Sequence, residues 1–161
     1  MKKIIYLTLI LLIFTCSTAM AAPLNKLSRN QTAVGASNDG IYLENRIAEK
    51  VTLGAQGIDF SDDNSFDVYG HYHFNNNFRG ILGYRDVLDG SIYAGVGVSD
   101  TLDDNWFGHA YLVFGDEFTE AQVGANYKIN RELDANIYAR FFMADHGNDH
   151  NRLGIGLTYK F

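Results

Sequence analysis

The feature that most constrains this chain is a short element used four times: an apolar residue, three polar or small residues, then another apolar residue. The four are Ile47-Ala48-Glu49-Lys50-Val51, Phe74-Asn75-Asn76-Asn77-Phe78, Leu102-Asp103-Asp104-Asn105-Trp106 and Ile129-Asn130-Arg131-Glu132-Leu133, and their first residues stand 27, 28 and 27 positions apart. Each reads as a tight turn whose flanking apolar residues point the same way, and the even spacing makes every hairpin the same length. The intervals hold two strands of roughly ten residues and a second turn, the length a tilted membrane-spanning strand needs. That second set of turns is polar and acidic: Ser61-Asp62-Asp63-Asn64-Ser65, the stretch from Asp86 to Gly90, Gly115-Asp116-Glu117, and the stretch from Asp145 to Asn151.

Counting back from the C-terminus gives strands at 152–161, 133–143, 119–128, 106–114, 91–99, 78–85, 66–74, 51–59 and 40–46. An antiparallel barrel with both chain ends on one side needs an even number, and 31–36 before the turn Ser37-Asn38-Asp39-Gly40 supplies a tenth. The fold expected is all-β, an up-and-down barrel of ten strands. The alternative is eight, with residues 22–46 outside the wall as a plug or an arm. The only proline, Pro23, precedes every strand, as a sheet with all its N–H groups paired requires.

The chain start is not part of this pattern. Lys2 and Lys3, the apolar run Ile4 to Phe14 and the small residues ending Ala19-Met20-Ala21 form a secretory signal peptide, residues 1–21, leaving 22–161 as the barrel. Cys16 lies within that signal, so a mature chain has no disulfide; lipidation at Cys16 is disfavoured by Phe14 and Thr15 before it. Cleavage lowers the 13 basic residues to 11 against 19 acidic, a net charge of −8. With no basic run, nucleic acid is excluded as a partner.

Within the strands one face is apolar. It carries Leu53, Phe66, Val68, Tyr72, Phe74, Leu82, Tyr84, Ile92, Val96, Val98, Trp106, Leu112, Phe114, Val123, Tyr127, Leu133, Ile137 and Phe141, uninterrupted by charge. The other carries Glu44, Gln56, Asp67, Tyr69, His71, His73, Arg79, Arg85, Tyr93, His109, Tyr111, Gln122, Asn126, Asp134, Asn136, Tyr138 and Arg140. A soluble exterior would favour Lys and Glu; Tyr, His and Arg instead suit a narrow lumen in which charges pair. Aromatics bunch at the strand ends, with Phe74, Phe78, Trp106 and Tyr127 at the rim of the apolar-framed turns, as in the girdles of a membrane barrel. A soluble barrel with an apolar ligand inside is the reading of opposite polarity.

The last strand, Arg152 to Phe161, resembles the C-terminal assembly signal of outer-membrane β-barrel proteins: a terminal Phe161, an aromatic Tyr159 two before it, and Gly156 five before it. It departs at Gly154, where that pattern often has a polar residue. With the signal peptide, the alternating strands and the short turns, the chain is similar to small outer-membrane β-barrels on the scale of the OmpA transmembrane domain and the OmpX-type barrels. The resemblance implies insertion by the barrel-assembly machinery, contact with outer-membrane lipid, the cell outer membrane as location, and no catalytic residues. It leaves the oligomeric state open.

The charges expected in the lumen are Glu44, Asp67 and Asp134 with Arg79, Arg85 and Arg140, forming ion pairs that close the barrel. No metal or cofactor is expected. His71 and His73 share a face, with His109 near them, yet no Cys or carboxylate cluster completes a site. The loop from Asp145 to Asn151 gathers oxygens and imidazoles without the spacing of a calcium loop. Ser91, Ser99 and His146 are the residues a lipid-cleaving barrel could use, and no motif sets a base beside a nucleophile. The function expected is structural, in a mostly closed barrel, with a narrow pore for small solutes as the alternative.

Overall fold

A computed structural model describes residues 22–38, 40–59, 64–86, 90–145 and 149–161. The expected signal peptide with Cys16, most of the turn at 61–65, and His146 with its neighbours 147–148 lie outside the described residues. Among the described residues are ten strands: β1 Thr32–Ser37, β2 Gly40–Ala48, β3 Val51–Asp59, β4 Asn64–His73, β5 Phe78–Arg85, β6 Ser91–Thr101, β7 Trp106–Gly115, β8 Phe118–Lys128, β9 Leu133–Ala144 and β10 His150–Lys160. Each pairs antiparallel with its neighbours in sequence, and β1 pairs with β10, so the sheet is a closed up-and-down barrel. Eight strands is thereby excluded. Among the described residues there is no helix long and apolar enough to cross a membrane, which says nothing about strands.

Closure depends on the two chain-terminal strands. Ala33 to Ser37 lie opposite Lys160 to Gly156, and the seam is extended by reciprocal backbone bonds of 2.9 Å between Thr32 and Phe161. Phe161 is thus the last rung of the ladder that removes the free edge. Its ring stacks on that of Tyr159, 5.9 Å between centroids.

The repeated turns share a mechanism. In three of them the first apolar residue donates its N–H to the carbonyl of the last: Phe74 to Phe78 (3.1 Å), Leu102 to Trp106 (2.9 Å) and Ile129 to Leu133 (2.9 Å). In two of these the second residue then closes the loop with its side chain. Asn75 Oδ1 accepts from the N–H groups of Asn77 and Phe78 and Asn130 Oδ1 from those of Glu132 and Leu133, whereas the Asp103 turn closes through its backbone, the Trp106 N–H donating to the Asp103 carbonyl (3.2 Å). At Asn75 and Asn130 this is the Asx turn that the amide side chain favours. The first turn differs because Ala48 stands where the others have Asn or Asp: Ala48 pairs directly with Val51, and a register shift precedes it between Asn45 and Ala48.

The wall is thin on its inside at four points, where a lumen tyrosine lies across a glycine of the adjacent strand. Tyr42 faces Gly35, Tyr69 faces Gly54, Tyr93 faces Gly83 and Tyr138 faces Gly154, each pair in direct register. A Cβ on any of these glycines would overlap the ring. The device lets an aromatic body fill a narrow barrel by lying flat on bare backbone. Gly57 has nothing within 4 Å of an added Cβ and serves as a control. Gly154→Val is expected to displace Tyr138 from its 3.1 Å bond to Ser37 Oγ and cost about 1–3 kcal/mol in urea unfolding from detergent micelles. Gly57→Ala should fall within about 0.5 kcal/mol of the parent.

Candidate functional site in the barrel lumen

Burial alternates along the strands, and the polar face points in. Along β4, Phe66, Val68 and Tyr72 are about half exposed, whereas Asp67, Tyr69, His71 and His73 are buried. The same alternation puts Leu82, Ile92, Val96, Val123, Ile137 and Phe141 outside. A barrel with exposed aliphatics outside and buried arginines inside has the polarity of a membrane protein.

The lumen is organised in levels. Towards the acidic-loop end, Arg85 is clamped between two carboxylates, with Nη2 2.9 Å from Asp67 Oδ2 and Nη1 2.7 Å from Glu120 Oε2. Arg140 Nη1 lies 3.8 Å from the same Glu120 oxygen. The four side chains are essentially inaccessible. Hydroxyls take the remaining acceptor sites, Tyr93 donating to Asp67 at 2.7 Å and Tyr111 to Glu120 at 2.6 Å. Phe118 and Tyr93 lie 4.9 and 5.4 Å from the Arg85 guanidinium carbon, and Phe118 stacks on Phe142. Charge-assisted bonds and aromatic bodies thus fill this level together.

Of the six charges expected in the lumen, the structure unites Asp67 with Arg85 and brings Arg140 towards Glu120. The remaining three take partners outside the set. Glu44 accepts from Tyr69 (3.0 Å) and Asn25 (2.8 Å), Arg79 donates to Ser99 (2.9 Å) and to the Asn25 carbonyl (3.3 Å), and Asp134 pairs with Lys160 at the short-turn rim. Geometry decides this. Glu44 and Arg79 sit at a level where a chain segment, described next, comes between the walls. Glu120 is the residue that sequence reading missed, though it has the parity of Gln122 on the same strand.

Residues 22–28 have no regular secondary structure and run inside the barrel. Ala22, Leu24, Asn25 and Leu27 are buried. The segment enters at the short-turn rim, where Arg46 Nη1 donates to the Leu27 carbonyl (2.6 Å), and climbs past Asn126, which donates to the Leu24 carbonyl (3.4 Å). It reaches mid-barrel where the Ala22 N–H donates to Gln56 Oε1 (2.7 Å) and Gln122 Nε2 reaches the Ala22 carbonyl (3.5 Å). The plug expected with an eight-strand barrel therefore exists inside a ten-strand one, formed by a shorter segment. Above Ala22 remains a cavity of about 30 Å³ bounded by Gln56, Tyr93, Tyr111 and Glu120, among others.

Other candidates resolve as follows. Among the described residues no group of three or more His, Cys, Asp or Glu could hold a metal. His71 stacks on Tyr69 and His73 bonds Thr52. Ser99 and His109 face each other across β6 and β7, but Ser99 accepts from Arg79 while His109 contacts Gln122 at 3.3 Å. Ser91 accepts from the N–H of Asp116. The girdle residues pair on the outside, Phe74 with Phe78 at 5.3 Å and Trp106 with Tyr127 at 5.0 Å. Gly156 and Tyr159 lie within the final strand, Tyr159 pointing outward with its hydroxyl bonded to Glu132.

The fold is similar to that of several solved structures. A de novo designed transmembrane β-barrel shares 13% identity, covering 85% of this chain and all of the design, with a TM-score of 0.44. The N-terminal β-barrel domain of Pseudomonas aeruginosa OprF shares 13%, covering 84% of this chain and all of that domain, at 0.46. The KdgM porin, solved with disordered oligogalacturonate, shares 12%, covering 81% and 98%, at 0.47. No family model matches the chain, and no curated protein matches it.

Arg85 should be the costliest lumen residue to remove, because its loss leaves Asp67 and Glu120 buried together. Arg85→Ala is expected to lower unfolding stability in micelles by about 3–5 kcal/mol. Exposed Asp104→Ala should change it by less than about 0.5 kcal/mol.

Proposed function

We propose that the chain is an integral outer-membrane β-barrel with a structural role in the envelope, its lumen closed and its surface in contact with lipid. The observation that carries this reading is the inverted polarity: an uncharged aliphatic band between aromatic rims on the outside, around an interior of paired charges. In water such a surface would expose an apolar area far beyond what soluble monomers tolerate. In lipid it is the expected solution, since a closed barrel leaves no backbone group unpaired.

Closure supports a scaffold over a channel. A barrel of ten strands leaves little lumen once side chains occupy it, and the interior cavity of about 30 Å³ holds a water or two. A larger recess of about 410 Å³ at the short-turn rim is lined mostly by polar side chains, among them Lys26, Asp103, Asn126 and Asp134, a poor match to the apolar ligand of the soluble alternative. The narrow-pore alternative draws on one observation: part of the lumen is filled by a segment without regular secondary structure. Neither reading gives the protein a catalytic role.

The chain is expected in the outer-membrane fraction, to migrate faster on a denaturing gel unheated than boiled, and to give no discrete conductance steps in planar bilayers. Recovery in the soluble periplasmic fraction without a heat-dependent shift would contradict the membrane reading. Steady unitary currents from the intact chain would replace the scaffold with the pore.

A further inference from the structure

We propose that the recess of about 410 Å³ at the short-turn rim is a binding site for a short zwitterionic peptide, its ammonium held by one turn and its carboxylate by another. The site adds a ligand to the scaffold role and lies at the opposite end of the barrel from the ionic layer around Arg85.

Opposite charges share this recess without meeting. Asp103 and Asp104 line it from the β6–β7 turn, Lys128 from the end of β8 and Arg131 from the β8–β9 turn. Among the described residues neither carboxylate forms an ion pair with either cation, whereas Lys160 and Asp134, which line the same recess, pair with each other. The backbone fixes where the unpaired charges stand. The Lys128 N–H donates to the Asn105 carbonyl (2.8 Å), and the Asn130 side chain closes the turn that carries Arg131. A ligand with one charge of each sign is attracted by both walls, while a lone anion or cation is attracted by one and repelled by the other.

The floor is a row set by register across three strands, Thr101 of β6 opposite Phe107 of β7 and Phe107 opposite Asn126 of β8. Lys26 lies over the Phe107 ring, 5.6 Å from its centroid, and bounds the recess on the side of the luminal segment. Asn126 is buried; its amide nitrogen donates to the Leu24 carbonyl (3.4 Å), and its Oδ1 has no partner. An unsatisfied buried acceptor favours a ligand with an N–H to give. A peptide bond supplies one, and acetate or a quaternary amine has none. The volume falls within the range of small-ligand sites, and the mixed lining suits neither an apolar ligand nor a polyanion.

The test uses the full chain in detergent micelles, with oligoglycines as probes and titration calorimetry as the readout. Each added glycine lengthens the span between the end charges by roughly 3.5 Å. One member from diglycine to tetraglycine should therefore bind best, with a Kd below about 10 mM. Blocking either end of that peptide, by N-acetylation or as the C-terminal amide, should weaken it by about threefold to tenfold. Asp103→Asn with Asp104→Asn should weaken the free peptide by the same factor and leave the N-acetyl form unchanged. Lys128→Gln with Arg131→Gln should weaken the free peptide likewise and leave the amide form unchanged. All four positions are exposed, so the heat-dependent gel shift should persist in each variant. Absence of saturable binding by any oligoglycine up to about 50 mM, equal binding of blocked and free forms, or variants that weaken every form alike would overturn the site. Acetate or methylammonium binding as well as the peptide would also overturn it, since the recess would then hold single ions only.

Discussion

Everything in this structure depends on the seam between the first and last strands. Ten strands with apolar outer faces make a curled sheet with two open edges, and an open edge in hydrocarbon leaves a row of backbone groups without partners. The pairing of Ala33–Ser37 with Lys160–Gly156, prolonged by Thr32 and Phe161, removes both edges at once. The shortest strand thus carries the closure, and the chain's last residue takes part in it.

Closure imposes the second problem, a lumen with room for few waters and too polar to be left empty. The chain meets it by level. Tyrosines lie flat on glycines of adjacent strands, carboxylates and guanidinium groups cancel near the acidic-loop end, and the segment from Ala22 to Leu27 fills part of the remainder. Arg85 joins these solutions, since it binds Asp67 and Glu120 and packs against Phe118.

Much of the fold was legible in the sequence because two periods reinforce each other. Alternation within strands separates the faces, and the turn repeat sets strand number and register, so observed ends lie within two residues of those expected. Two of the turns were readable for a chemical reason, Asn75 and Asn130 each closing a loop with its own side chain. The lumen was less legible. Parity tells which charges point inward but not which meet, and Glu44 and Arg79 found partners in Asn25 that no strand pattern could supply. The segment from Ala22 to Leu27 has no alternation, and its place is fixed by long-range contacts to Gln56, Gln122 and Asn126.

The central claim is that the apolar face looks into lipid, and the only tryptophan, Trp106, reports on it directly. It sits at the short-turn rim, about two-fifths exposed and against Tyr127. In vesicles containing lipids brominated at known depths, Trp106 fluorescence should be quenched most by bromine near the headgroups, while a tryptophan placed at Val123 in a Trp106→Phe background should be quenched most by bromine deep in the acyl chains. Indifference of both to brominated lipid, with full quenching by aqueous iodide, would contradict the account.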